Sequence, residues 1–271
     1  MFKPTHAVLI AIYKMKLSES PTFKSLLKQG LTDTQVIIYD NSPLKMCDVY
    51  QDNHLIYYHD PKNKGLFVAY NYAVTFCRVN QIQWLTIFDQ DTVIPAVFFQ
   101  TLKTHLHNEV CCIVPRVELE NHKQISPFII ENTIFPFKVK KNNNSTIAAI
   151  NSGNTINVNF FPRKQALFTK EFPLDFLDYD FFKRVAELQG NIEMLSATLT
   201  QNLSVADYHT VSNTRFLDFL SYESKFVRLY YPDNLKRYHI KLILRACKLF
   251  AKGFQITKIK LIIKILRGYM V

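Results

Sequence analysis

Two carboxylates one residue apart, Asp89-Gln90-Asp91, stand directly behind the apolar run Trp84 to Phe88 and a few residues ahead of Pro95. In a turn of that length both side chains can face one divalent cation. Oxygen donors in small number are what Mg2+ or Mn2+ accept when substrate phosphates complete the shell. The spacing alone is weak, since the 13 aspartates of this chain yield roughly 0.6 such pairs by chance. A second pair does occur, at Asp178 and Asp180. Further chemistry-bearing residues follow other apolar runs: Tyr13 and Lys14 after the first, Asp40 and Asn41 after Val36 to Tyr39, and Asp60 to Gly65 after Leu55 to Tyr58. Three of the four exits carry an acid.

Positioning these residues together requires a particular scaffold. Ala7 to Tyr13, Val36 to Tyr39, Leu55 to Tyr58, Trp84 to Phe88 and Val110 to Val114 read as buried strands. Between them Pro21 to Gln29, Leu66 to Val79 and Pro95 to Asn108 read as helices, the last with Pro in its first turn. Such alternation predicts an α/β fold with a mostly parallel sheet covered on both faces. In that architecture ligands bind beyond the carboxyl ends of the strands, where the acids above fall. After Arg116 the alternation degrades into an excursion, with Lys138 to Asn144 as an exposed turn. Ile147 to Phe161 reads as extended, Asp178 to Leu188 as a helix and Ile192 to Ser196 as a strand. From about Ser221 the chain reads as two or three basic helices, which places a domain boundary between residues 220 and 221.

Composition excludes several classes. Of 271 residues 48% are apolar, so the chain is globular and not disordered. The six glycines, Gly30, Gly65, Gly153, Gly190, Gly253 and Gly268, are too dispersed for a P-loop or a G-x-G-x-x-G turn. The five cysteines form no C-x-x-C and suit a reducing compartment. The N-terminal apolar run is too short for a signal peptide and no run reaches the ~20 residues of a spanning helix. A cytoplasmic location follows as an expectation.

The ordered strings Val36-Ile-Ile-Tyr-Asp40-Asn41-Ser42, Asn63-Lys-Gly65-Leu-Phe-Val-Ala69-Tyr-Asn71 and Trp84-Leu-Thr-Ile-Phe-Asp89-Gln90-Asp91-Thr92 resemble glycosyltransferase family 2 over roughly residues 5 to 235. The D-Q-D-[ST] ending looks most like bacterial rhamnosyltransferases that build O-antigen and capsular polysaccharides. Ser152-Gly153 and Leu174-Asp175-Phe-Leu-Asp178-Tyr-Asp180-Phe181, followed by Arg184, are similar to the family's acceptor-side segment. The resemblance implies a GT-A type fold and an inverting, metal-dependent glycosyltransferase. Its donor would be dTDP-rhamnose or a UDP-sugar, and its acceptor a saccharide carried on a polyprenyl diphosphate. It also implies roles. Tyr13, Asp40, Asn63, Gly65, Asn71 and Asp89 would bind nucleotide and donor. Asp91, with Asp89, would hold Mg2+ or Mn2+. Ser152, Gly153 and Asp175 would lie on the acceptor side, and Asp178 would be the catalytic base. Plainer readings stand beside these: Asp40 as a turn cap, Asn71 as an exposed helix residue, Asp175 as the N-cap of the following helix. Leu177 stands where a Glu often precedes the base, a Gly near Ala166 is missing, and either Gln201 or His209 takes the place of a His found in relatives.

The net charge of +11 lies almost wholly in the tail: after Asp233 there is no acid and ten cations follow. On a helical wheel Ile256, Ile259, Ile262, Ile263 and Leu266 share one face, Lys260, Lys264 and Arg267 flank it, and Lys258 breaks the pattern. Such a helix suits the inner face of an anionic membrane, where each cation contributes ~1 kcal/mol; packing on the catalytic domain is the other reading. Two alternatives of other classes complete the set. One is a haloacid-dehalogenase-like phosphohydrolase with Asp89 as nucleophile, disfavoured because three strands precede the motif. The other is a nucleic-acid module gripping phosphates with the tail, disfavoured by the tail's aliphatic face, so no nucleic-acid partner is expected.

Overall fold

The computed structural model describes residues 4–30, 33–49, 54–137, 145–201 and 211–268. Contacts divide the chain into two units, Met1–Pro127 with Ala148–Asn202, and Phe128–Ile147 with Leu203–Val271.

In the first unit β1 (His6–Ile12) is buried at all seven positions, as its unbroken apolar sequence demands. It lies between β2 (Thr34–Asp40) and β4 (Trp84–Asp89), parallel to both, and β3 (Leu55–His59) extends the sheet beyond β2. On the other side β5 (Cys112–Glu118) pairs in parallel with β10 (Ile192–Thr200). The parallel halves are joined by β9 (Thr155–Asn157), which runs antiparallel to β4 and β5. The resulting order is β10-β5-β9-β4-β1-β2-β3, with β6 (Gln124–Ser126) alongside β5. This is the mostly parallel, helix-flanked sheet expected from the strand-helix alternation, with one antiparallel insertion that periodicity did not reveal. Val8, Ile10, Ile12, Ile38, Phe88, Phe98, Phe99 and Leu199 build the core on one face. Helix α2 (Leu66–Val79) packs on β1 and β4, burying Ala69, Tyr70, Ala73, Val74 and Cys77.

Local chemistry sets the helix limits. Pro21 opens α1 (Pro21–Leu27), and the Ser20 side chain caps it by accepting from the Phe23 N–H. Helix α3 covers Phe98–Lys103 and not the longer span expected from Pro95 to Asn108. Beyond it the chain turns, and His105 and His107 meet the Glu193 carboxylate at 2.8 and 3.0 Å. Between Ile147 and Phe161, expected to be extended throughout, strand structure is confined to β8 (Ile147–Ala148) and β9. Helix α5 (Leu177–Glu187) begins one residue before the expected start.

The second unit holds α4 (Ile130–Ile134), α6 (Asn213–Tyr230), α7 (Leu235–Ala251) and α8 (Ile256–Leu266), and β7 (Phe128–Ile129) pairs with β8 in a separate small sheet. It is discontinuous in sequence, and α6 begins ahead of residue 221. Its interior contains an ionic cluster. Glu223, 1% exposed, accepts from both Arg245 amino groups at 2.6 and 2.9 Å and from Lys241 at 2.7 Å. Burial alone would raise this carboxyl, but the two cations overrule it and hold it at about 2. Lys241 also donates to the Thr133 carbonyl, and Tyr231 donates to Glu131, tying the 128–147 segment to the tail helices. Helix α8 packs on α6 and α7 through Ile262, Ile265 and the stem of Lys258, whose ammonium sits 5.9 Å from the Phe216 ring centre. The residue that broke the helical-wheel pattern is thus buried, and part of the aliphatic face is used for packing.

Gly153 is where β9 depends on a residue without a side chain. Its φ is +83°, and a Cβ there would lie 2.4 Å from Leu199 Cδ1 and 2.6 Å from Pro115 Cγ. Gly153→Ala is expected to destabilise the first unit by about 2–4 kcal/mol, read as a lowered denaturation midpoint.

Candidate active site

Register places the acids. Ala11 of β1 aligns with Asp89 of β4, and Ile12 aligns with Asp40 of β2, so both aspartates stand at the carboxyl edge of the sheet on either side of one central strand. Their environments differ. Asp40 is fully buried, and its carboxylate accepts from the Ser42 and Met46 N–H groups at 2.8 Å each and from the Tyr57 hydroxyl. It caps and closes the loop after β2, as the plainer reading had it. Beside it Asn41 Oδ1 is buried without a partner. Tyr39, Tyr58 and Tyr72 form an aromatic group next to Asp60, with Tyr58 and Tyr72 stacked at 4.6 Å. Asn63 lies in the exposed turn that follows, with φ +40°.

The Asp89-Gln90-Asp91-Thr92 turn is clamped from below by hydroxyls. Thr22 donates to the Asp89 carbonyl and accepts from the Thr92 N–H at 2.9 Å, and Ser20 donates to the Gln90 carbonyl at 2.6 Å. Ser152 accepts from the Asp89 N–H at 3.1 Å and meets the Thr92 hydroxyl at 2.6 Å. Gly153 donates its N–H to Ile87 at 2.7 Å. Ser152 and Gly153, expected on the acceptor side, are both buried and support the turn. Tyr13 reaches it too, through its backbone N–H to Gln90 Oε1 at 2.8 Å, while its ring remains exposed.

The other wall is the segment leading into α5. Gly65, φ +110°, lets Leu66 N–H donate to the Pro173 carbonyl at 2.7 Å; a Cβ at Gly65 would come within 2.5 Å of that oxygen. Asn71 brackets the backbone of Phe168 with both ends of its amide, donating to the carbonyl at 2.7 Å and accepting from the N–H at 3.1 Å. It is not a free surface residue. Asp180 is buried, accepts from Thr169 at 3.0 Å and faces Arg184 Nε at 3.3 Å. The second D-x-D pair is therefore split: Asp180 braces the segment and Asp178 is half-buried in the first turn of α5. Asp175 lies ahead of that helix, whose N-cap is Phe176 at φ +63° with no side-chain cap.

Electrostatics join the two walls. Burial raises Asp178 to about 7; the backbone N–H groups of Tyr179 and Asp178 oppose this, and the charges of Asp175 and Asp89 add to it. Burial and the charge of Asp91 lift Asp89 to about 6, and Asp91 is raised as well, chiefly by burial. The buried Tyr70 hydroxyl feels both Asp89 and Asp178. Gln201, just after β10, donates Nε2 to Asp89 Oδ2 at 2.7 Å and steadies Asp91, while its Oε1 is buried with no partner among the described residues. Of the two candidates for the His position, Gln201 is at the site; His209 lies outside the described residues. Among the described residues no set of three or more His, Cys, Asp or Glu is arranged to hold a metal alone. The oxygen donors that Mg2+ or Mn2+ could use here are Asp89, Asp91 and the unpartnered Gln201 Oε1, a hard-oxygen set that fits either ion.

The supporting residues Thr22, Ser20 and Tyr70 carry no sequence signal beyond their polarity in or beside apolar runs; Gln201 was marked only by the family resemblance. Two outcomes follow from the geometry. Gln201→Ala removes a donor to Asp89, so that carboxyl should titrate above about 6 when followed by carbon NMR in metal-free protein. Asp178 has a folded pKa above its unfolded value, so the stability tied to its protonation is full below about 4 and is lost as pH rises through about 7. Asp178→Asn should therefore stabilise the protein at pH 8, by on the order of 1–3 kcal/mol in denaturant titrations, and much less at acidic pH.

A family model described as Glycosyl transferase family 2 matches residues 8–165. Among solved structures, S. aureus TarS 1-349 superposes with a TM-score of 0.50 at 12% identity, covering 97% of this chain and 92% of that one. The same protein in complex with UDP gives 0.52 at 13% identity, covering 92% and 72%. No curated protein matches the sequence. From Val8 of β1 onward, β1 to β5, β9 and the carboxylate turn fall inside the matched residues, while α5 and β10 lie beyond them; the match sets aside the phosphohydrolase alternative. The chain belongs to glycosyl transferase family 2 and is a nucleotide-sugar transferase of GT-A type.

Proposed function

We propose that the protein transfers a sugar, with inversion, from a nucleoside-diphosphate donor to a hydroxyl of a saccharide acceptor. The observation that carries this is Asp178: a carboxylate held near neutrality, electrostatically coupled to Asp89 across the site and mounted on a helix braced by Asp180 and Arg184. A base that must take a proton from a hydroxyl at physiological pH works best with such a pKa. Asp178 removes the acceptor proton as the oxygen attacks the anomeric carbon, and a direct in-line displacement inverts that centre. Asp89 and Asp91 face the departing diphosphate, and Gln201 holds Asp89 in place. A divalent cation bound by these oxygens would neutralise the charge growing on the leaving group. The loop closed by Asp40 and the tyrosines near Asp60 flank the nucleoside side.

The D-Q-D-T string supports L-rhamnose, activated as dTDP-rhamnose, as the sugar. The structure of TarS with UDP supports a UDP-sugar as the competing donor. A saccharide on a polyprenyl diphosphate is the acceptor that fits a protein peripheral on the inner face of the membrane, since no helix among the described residues is long and apolar enough to cross a bilayer.

A donor screen tests this: nucleotide sugars with Mg2+ or Mn2+, scored by thermal stabilisation and by release of the nucleoside diphosphate. Asp91→Ala and Asp178→Ala should each leave a folded protein with transfer reduced by ~10²-fold or more; near-normal turnover in either overturns its assignment. The transfer rate should rise with pH through about 7 as Asp178 ionises, and that limb should vanish in Asp178→Asn.

A further inference from the structure

We infer that the surface which seats this protein on an anionic bilayer is the outward face of α7 and the turn after it, not the aliphatic face of α8. The inference rests on the peripheral-membrane reading above and names the residues that perform it.

Helix α7 has two apolar faces. Tyr238, Leu242 and Leu249 point into the helical unit together with the paired Arg245. On the opposite side Ile240, Ile243, Leu244 and Phe250 recur at helical spacing with exposures of 44–55%, and Phe254 continues the line at 65%. No described residue covers them. In α8, by contrast, Ile262 and Ile265 are buried by packing on its neighbours, and of its aliphatic residues Ile256 and Ile263 are left exposed. The unsatisfied apolar surface has therefore moved from the helix with the cleaner amphipathic wheel to the one before it.

Charge decides the partner. No acid follows Asp233, and of the ten cations beyond it Lys241 and Arg245 are taken by Glu223 and Lys258 is buried. Those that remain exposed, Lys236, Lys248 and Lys252 on and just after α7 and Lys260, Lys264 and Arg267 on and just after α8, give these two helices one sign. A second copy docking by this face would bring like charges together, and a nucleic acid would leave the aliphatic stripe in water. A bilayer with anionic headgroups takes both: the side chains enter the acyl boundary and the cations meet the headgroups.

The test uses the full chain and sedimentation with vesicles of phosphatidylglycerol and phosphatidylethanolamine, against vesicles of phosphatidylcholine alone. Cys247 lies within the stripe and is exposed, so in a Cys47→Ser background it carries an environment-sensitive fluorophore as a second readout. Binding to the anionic vesicles, weakened by salt, with a blue shift at Cys247, is expected. The pair Ile243→Asp and Phe250→Asp should lower the affinity by roughly tenfold or more, and Lys248→Gln with Lys252→Gln by about fivefold per cation. Leu27→Asp, an exposed apolar position on α1, should change nothing. Unchanged melting temperatures keep these comparisons about binding; should the aspartate pair misfold, the glutamine pair and the salt dependence decide. If the native protein ignores anionic vesicles, the membrane reading itself falls. If it binds but neither α7 pair weakens binding, this surface is wrong and the membrane reading stands. Self-association that the aspartate pair abolishes, without vesicle binding, assigns the stripe to a second copy.

Discussion

Like charge held in partial burial is the constraint on which the first unit depends. Asp89, Asp91 and Asp178 each pay a desolvation cost that raises their carboxyls, and the charge of Asp91 on Asp89 and of Asp89 on Asp178 adds to it. Left to relax, such groups would turn outward to water. They are kept in place because the backbone beneath them is over-determined: the turn after β4 is gripped by three hydroxyl side chains, from Ser20, Thr22 and Ser152, on two separate parts of the chain. A divalent cation bound as proposed above would offset this like charge.

The facing wall solves a different problem, that of bringing a helix from far along the chain against the sheet edge. Asn71 and Gly65, both on or at α2, do this by gripping the backbone at Phe168 and Pro173. A side-chain amide that makes two hydrogen bonds to one peptide unit fixes orientation as well as distance, and a glycine allows the closest approach of two backbones. Two residues that the family resemblance marks as donor-side, Gly65 and Asn71, are the joint that sets where the segment leading to Asp178 stands.

In the second unit the ionic cluster at Glu223 makes the same point with the opposite sign. Here the buried carboxyl falls to about 2 because its cations are within hydrogen-bond reach. Removing Glu223 would leave two buried cations without their counter-ion, an arrangement that typically costs about 3–5 kcal/mol. Two of the ten tail cations thereby belong to the interior, and the tail's formal charge overstates what its surface presents.

Strand order along the first 116 residues, α2 to the residue, the carboxylate turn and the helix bearing Asp178 are legible in the sequence, because each is governed by local periodicity or by an exit from a buried strand. The same locality explains the failures. The antiparallel β9 and the membership of 128–147 in the helical unit are decided by partners 40 to 110 residues away, such as Gly153 with Ile87 and Thr133 with Lys241. For the site, the sequence placed Asp40 and Asp89 at the exits of buried strands, and the structure puts both at the carboxyl edge of the sheet. Spacing could not show that Asp180 is engaged by Thr169 and Arg184, that Asn71 and Ser152 bond to backbone, or that Gln201 reaches Asp89, since nothing in a linear pattern records which polar groups tertiary contacts have already satisfied. In the tail, sequence fixed the amount and sign of charge; the packing of α8 decided which apolar face was left to the solvent, because a helical wheel knows a helix's faces but not its neighbours.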